Sequence, residues 1–173
     1  EVLSRLKDGK HNYINPEYFI HVAEINHTII QLSRQMFEKT CRFAVDNNIF
    51  DRGINDMNIN ISPIQCQDKH LVQDLKKIAA KYGIPFERFH FEITESRLTD
   101  EKAVRETLTK LKENGAKIAL DDFGTGYSNI ASIMLMPIDF VKIDKSLLWS
   151  YASGDNEFLN ELMPMIRGEG KKI

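Results

Sequence analysis

The sequence predicts an α/β fold on a mainly parallel sheet, of the kind that closes into a (β/α)₈ barrel. Three observations carry this. Short β-prone runs alternate with segments of helical period, which implies right-handed crossovers between parallel strands. Glycine and proline punctuate nearly every change of period. Finally, four strand-like runs each end in or near a polar residue, at positions 60, 92, 121 and 142, with separations of 32, 29 and 21 residues, the scale of one βα unit.

Along the chain, Asn15-Pro16 opens the first helix, since proline fits a first turn. A second helix over Ile29–Asp46 carries Ile29, Leu32, Met36, Phe37, Phe43 and Ala44 at helical spacing. A strand follows at Met57–Ile61. Asp68 is the expected cap of a helix whose stripe is Leu71, Val72, Leu75, Ile78, Ala79 and Tyr82, stopped by Gly83 and Pro85. Phe89–Ile93 is the next strand, and Thr99-Asp100 starts a helix with Val104, Leu108 and Leu111 on one face, ended by Gly115. Ile118–Leu120 is a strand, Ser128–Leu135 a short helix stopped by Pro137, Phe140–Ile143 a strand, and Asp155–Arg167 a last helix.

Bulk properties narrow the function. The chain has 173 residues, 42% hydrophobic and 28% charged, ordinary for a globular domain. Its 23 Lys and Arg nearly balance 25 Asp and Glu, so nothing points to duplex nucleic acid as a partner. No apolar run approaches the roughly 18 residues that span a bilayer, and no signal peptide is present, so the expected location is cytoplasmic, with a membrane-anchored parent left open. Cys41 and Cys66 lack metal spacing and read as free thiols of a reducing compartment.

The strand ends carry the chemistry. Any one polar residue there caps a loop as readily as it serves a site. Four consecutive units doing so matches the carboxyl-terminal rim on which barrel active sites are built. The rim candidates are Asn60, Glu92, Asp121, Asp122 and Lys142, with Glu1 near the amino end. Several carboxylates offset by one lysine repel one another and resist desolvation, a cost that a hard divalent cation relieves. Carboxylate and amide oxygens suit Mg²⁺ or Mn²⁺ rather than Zn²⁺. Adjacent Asp121 and Asp122 suit two ions, one bridged and one terminal, an arrangement recurrent in phosphate ester hydrolysis. Lys142 would orient the attacking water or neutralise charge on the phosphorus oxygens.

Other motifs weigh little. "DFG" at Asp122–Gly124 lacks the companion loops of a kinase, and "GTGYSN" fits half of a dinucleotide fingerprint in the wrong place. The histidines show no H-x-x-x-H pairing. For Trp149 and Tyr151, lining the mouth and packing outside both stay open.

Taken in order, "EVLSR" at Glu1–Arg5, "PEYFIHVAE" at Pro16–Glu24, "NIS" at Asn60–Ser62, "EITES" at Glu92–Ser96, "DDFGTGYSN" at Asp121–Asn129 and "KID" at Lys142–Asp144 resemble the EAL domain. That family is a (β/α)₈ barrel that hydrolyses the bacterial second messenger cyclic di-GMP. The resemblance implies hydrolysis to linear pGpG with Mg²⁺ or Mn²⁺, two ions in all. By the same resemblance Glu1, Asn60, Glu92 and Asp121 hold the first ion, Asp121 bridges, and Asp122 helps hold the second. Lys142 contacts the nucleophilic water, Leu3 and Arg5 touch the dinucleotide, and Glu95 supports the Phe123–Ser128 loop. Val2 stands where the family has alanine and contributes no ligand, while Leu6 replaces a frequent tryptophan.

The resemblance makes residues 1–173 a partial EAL domain of about five to six βα units, out of a barrel of about 250 residues. A first strand before Glu1 and the last strands after Ile173, one bearing a further glutamate ligand, are then expected in a longer parent, with little hydrolysis from these residues alone. Family members often dimerise near the Asp-Asp loop and follow sensory or GGDEF domains, so a homodimer and such neighbours are what the resemblance implies. The competing class is a non-catalytic EAL-like receptor that binds cyclic di-GMP or a protein partner.

Overall fold

The computed structural model describes residues 1–94, 101–124, 136–154 and 157–173. A two-residue hairpin, β1 (Leu6–Lys7) and β2 (Tyr13–Ile14), comes first. Its turn is held by Asp8, whose carboxylate accepts hydrogen bonds from the amides of Lys10 at 2.8 Å and Asn12 at 2.9 Å. Helices α1 (Pro16–Ile25) and α2 (Ile29–Asp46) follow. The Asn15 side chain caps α1 by accepting from the Glu17 amide at 3.0 Å.

Then come β3 (Met57–Asn60), α3 (Pro63–Cys66), α4 (Leu71–Lys81), β4 (Phe89–Thr94) and α5 (Glu101–Glu113). The chain continues with β5 (Lys117–Phe123), β6 (Phe140–Ile143), α6 (Lys145–Ala152) and α7 (Phe158–Gly168).

Strands β3, β4, β5 and β6 form one parallel sheet in sequence order, the progression of a barrel wall. Single parallel bridges extend it at both edges, Val2 beside Ile59 and Lys172 beside Phe140. Six consecutive parallel positions are thus occupied, matching the βα-unit count read from the sequence.

Helices cover the outer face. Phe89, Phe91 and Ile93 of β4 point into them and are buried. Phe37 of α2 packs tilted against Phe89 with ring centroids 4.6 Å apart, and Phe86 meets Phe91 at 5.9 Å. Val104, Leu108 and Leu111 of α5 are fully buried against this core, as the helical spacing predicts. Burial pushes the thiols of Cys41 and Cys66 up to about 12, so both are inert packing residues.

Several elements differ from expectation, among them the β1–β2 hairpin, which was not expected from the sequence. Asp68 does not cap α4, which begins at Leu71. Its carboxylate accepts from the His70 amide at 3.0 Å in the turn ahead of the helix and pairs with Arg34 at 2.5 Å. Helix α6 was not expected: it buries none of its side chains, so the periodic signal of a packed face is missing. Helix α3 is also additional, closed by a capping box between Ser62 and Gln65. The expected helix at Ser128–Leu135 and the starts expected at Thr99-Asp100 and Asp155 lie outside the described residues.

Candidate functional site

A strand residue faces the same way as its neighbours two positions off, so β4 carries His90 and Glu92 on the inner face opposite its phenylalanines. Register places Asn60 beside Glu92, Glu92 beside Ala119, and Ala119 beside Phe140. Parallel pairing therefore gathers the polar strand ends on one rim.

The two aspartates owe their arrangement to an irregularity in β5. Leu120 pairs with Val141 and Phe123 with Ile143, so Asp121 and Asp122 together oppose the single residue Lys142. This is a β-bulge, which re-aims side chains at the cost of an interrupted ladder. Before it, Ile118 and Leu120 point into the core; after it, the buried Phe123 does. Without the extra residue, strict alternation would turn Asp122 toward the core. Asp122 accommodates the bulge with a φ of 54°, a left-handed conformation that aspartate tolerates better than most side chains. Gly124 follows at φ 102°, and a β-carbon there would lie 2.6 Å from a Leu147 methyl of α6. Only glycine suits this passage.

Lys142 ties the rim together. Its ammonium forms an ion pair with Glu92 Oε1 and lies 3.4 Å from Asp121 Oδ2. Burial pulls the lysine pKa down, but the hydrogen bond and charge of Glu92, with those of Asp121, outweigh it and hold the pKa above its ordinary value. These partners favour the charged, hydrogen-bond-donating form of the lysine. Asp122 shifts the other way for a carboxylate: burial, then the charges of Asp121 and Asp144, push its pKa up.

Glu92 is the most enclosed member, with its side chain wholly shielded from solvent. Its Oε1 takes Lys142 and the Asn58 amide, the latter at 2.5 Å, while its Oε2 is buried without a hydrogen-bond partner among the described residues. Asn60 donates to Glu1 Oε1 at 3.3 Å, which brings the amino-terminal residue onto the rim. A cavity of about 250 Å³ opens beside these residues, and Leu3, Arg5, Glu24, Asn60, Glu92 and Thr94 are among its lining. Leu3 is half exposed, while the Arg5 guanidinium donates to the carbonyl of Ser4 at 2.8 Å.

The structure thus gathers Glu92, Asp121 and Lys142, sets Asp122 beside them, and brings Glu1, Leu3 and Arg5 to the Asn60 side. Among the described residues, no three His, Cys, Asp or Glu side chains cluster closely enough to form a metal site unaided. Lys142 shares itself between Glu92 and Asp121 in that space. The donor chemistry nonetheless fits a hard cation, because the donors are oxygens, one of them buried and unpartnered, and the Asp122 charge is disfavoured as the site stands.

Glu95 lies outside the described residues. Trp149 is 65% exposed with the Lys145 ammonium 5.7 Å above its ring, and the Tyr151 hydroxyl donates to Asn160 at 2.8 Å. Neither lines the cavity. Asn58 was missed in the sequence, although it stands two residues before Asn60 on the same face.

The EAL domain family model matches residues 1–172. The chain belongs to the EAL domain family. It is 31% identical over 159 residues to the cyclic di-GMP phosphodiesterase PdeF of Escherichia coli K12, covering 91% of this chain and 21% of that protein. It is 35% identical over 150 residues to the signaling protein YkoW of Bacillus subtilis 168, covering 86% of this chain and 18% of that one. The chain thus spans about a fifth of the length of these two relatives.

Among solved structures, the PaMucR phosphodiesterase in complex with c-di-GMP superposes with a TM-score of 0.79 at 26% identity, covering 96% of this EAL domain and 69% of that chain. The FimX EAL domain of Pseudomonas aeruginosa bound to c-di-GMP reaches a TM-score of 0.80 at 19% identity, over 96% of this chain and 67% of that one, a likeness of fold alone. No helix among the described residues is long and apolar enough to cross a membrane.

Proposed function

We propose that this EAL domain serves the divalent-metal-dependent hydrolysis of cyclic di-GMP to linear pGpG. The observation that carries the proposal is the rim of Glu92, Asp121, Asp122 and Lys142, with one buried carboxylate oxygen left unpartnered. Phosphodiesterases of cyclic di-GMP among its relatives supply the substrate class.

Glu1, Asn60, Glu92 and Asp121 would hold one Mg²⁺ or Mn²⁺, and Asp121 with Asp122 a second. The chemistry such ions supply is activation of a water and neutralisation of charge on the phosphate. Lys142, whose charged form Glu92 and Asp121 favour, orients that water or adds a hydrogen bond to a phosphorus oxygen. Arg5 suits a further phosphate oxygen, and Leu3 offers apolar contact to the dinucleotide. In the reaction, water oxygen bonds to phosphorus, one phosphodiester P–O bond breaks, and the leaving sugar oxygen takes a proton.

The experiment is turnover of cyclic di-GMP by the purified full-length protein with Mg²⁺ or Mn²⁺, followed by separation of pGpG. The expected result is product that disappears on chelation. A protein that binds the metal and cyclic di-GMP but returns the nucleotide unchanged overturns the enzyme reading in favour of a receptor.

A further inference from the structure

Glu92 raises a question that the proposed reaction leaves open: what keeps a buried carboxylate from turning its second oxygen toward the lysine? A carboxylate offers two oxygens that exchange by rotation about its last bond. Lys142 alone does not fix the choice, because its ammonium is a flexible point charge shared with Asp121 and 39% exposed along the side chain. The second donor on Oε1 is Asn58, at 2.5 Å. It rises from β3, the strand next to β4, one inner-face position below Asn60 and opposite His90 in register.

We propose that Asn58 is a positioning residue that pins Glu92 Oε1 and so reserves Oε2 for the divalent cation. The inference rests on the function proposed above and adds to it a residue that touches neither cation nor nucleotide. Asn58 and Lys142 converge on one oxygen from different strands, β3 and β6, so the carboxylate is held by two directions of hydrogen bond. Being neutral, the Asn58 amide leaves the charge of Glu92 available. Being a side chain on a paired strand, it keeps the carboxylate placed when Lys142 turns toward a substrate oxygen. Leaving Oε2 bare is unfavourable in a buried site. A cation in the adjoining cavity would supply the missing partner. Residues that orient a metal ligand without touching the metal commonly change metal affinity by about 10–100-fold when replaced.

The probe is Mn²⁺ alone, titrated into the full-length protein without nucleotide and read by electron paramagnetic resonance. Asn58→Leu keeps the volume and removes the donor, and it is expected to weaken Mn²⁺ binding by about 10–100-fold. Saturating Mn²⁺ should then restore most of the turnover, which separates loss of metal affinity from loss of chemistry. Asn58→Gln retains an amide donor and is expected to bind Mn²⁺ within about threefold of the natural protein, below the range of about 10–100-fold that loss of an orienting residue produces.

Wild-type affinity in Asn58→Leu, or equal weakness in Asn58→Leu and Asn58→Gln, overturns the positioning role while leaving the proposed reaction intact. Should Asn58→Leu not fold, Asn58→Ala gives the same comparison. A natural protein that binds no Mn²⁺ and turns over no cyclic di-GMP overturns the reaction and this inference together.

Discussion

The two faces of β4 are made from alternate residues of one short strand and do opposite things. Phe89, Phe91 and Ile93 point outward and lock into aromatic and aliphatic neighbours with almost no solvent contact. His90 and Glu92 point inward, where Glu92 is as buried as the phenylalanines but rests on Asn58 and Lys142. One face gains stability from burial; the other holds charge that burial disfavours. The lesson is that the outer face carries the cost of the inner one, and substitutions on the two faces should separate activity from stability.

The largest effect is expected from Asp121→Asn. Weakening the ligand proposed to bridge both ions should cut turnover beyond about 10⁴-fold, over about 5 kcal/mol at 1.36 kcal/mol per tenfold. The urea midpoint should change little, because the charge removed repels Asp122 but also attracts Lys142. A parallel loss of activity and stability would break the division between the faces.

Next comes Phe91→Ala, which empties the centre of the outer core and should cost about 3–5 kcal/mol of unfolding free energy in urea. Turnover per folded molecule should change little, and a tenfold drop would show that the faces are mechanically coupled.

Lys142→Met crosses between the faces, leaving the buried Glu92 charge with Asn58 alone. The expected loss is about 2 kcal/mol in metal-free protein, less than for a fully buried pair because the lysine side chain stays 39% exposed. Added Mn²⁺ should recover part of the melting temperature while turnover stays low.

The smallest effect concerns Asp144, whose carboxylate caps α6 by accepting from the Ser146 side chain and amide, bonds that lower its pKa from an ordinary 3.8. A lowered carboxylate pKa stabilises the fold above the ordinary value, and that stability fades as the pH falls through the folded value. Asp144→Asn should therefore melt slightly lower at neutral pH, with the gap closing as the pH falls below the ordinary carboxylate value and through the lowered folded one. A gap that persists in acid would show that hydrogen-bond geometry, not charge, sets the cap.

Much of the architecture was legible because each βα unit is self-consistent. Periodicity in Ile29–Asp46 and Leu71–Lys81 reports a buried stripe, although Phe43, read as part of the first, is exposed, and the apolar run of β4 is bounded by clear breakers. The rim was legible as a set of strand-end polar residues, since parallel register brings such positions together with little dependence on detail.

The rest depended on geometry that composition does not encode. Nothing in "ALDDF" announces that one aspartate is an inserted residue opposite Lys142. Helix α6 buries no face and so leaves no period to read. Two signals were present and unread: the Ser62-Pro63-Ile64-Gln65 capping box, and the two-residue step from Asn58 to Asn60.

The left-handed backbone of Asp122 has a consequence for how this protein could change. At φ 54° glycine would be the relaxed choice, and Asp122→Gly would also remove a carboxylate whose charge the site disfavours. Selection for robustness alone would push this position toward glycine. The aspartate there places a carboxylate on the rim from a backbone conformation that a single codon change to glycine would relax.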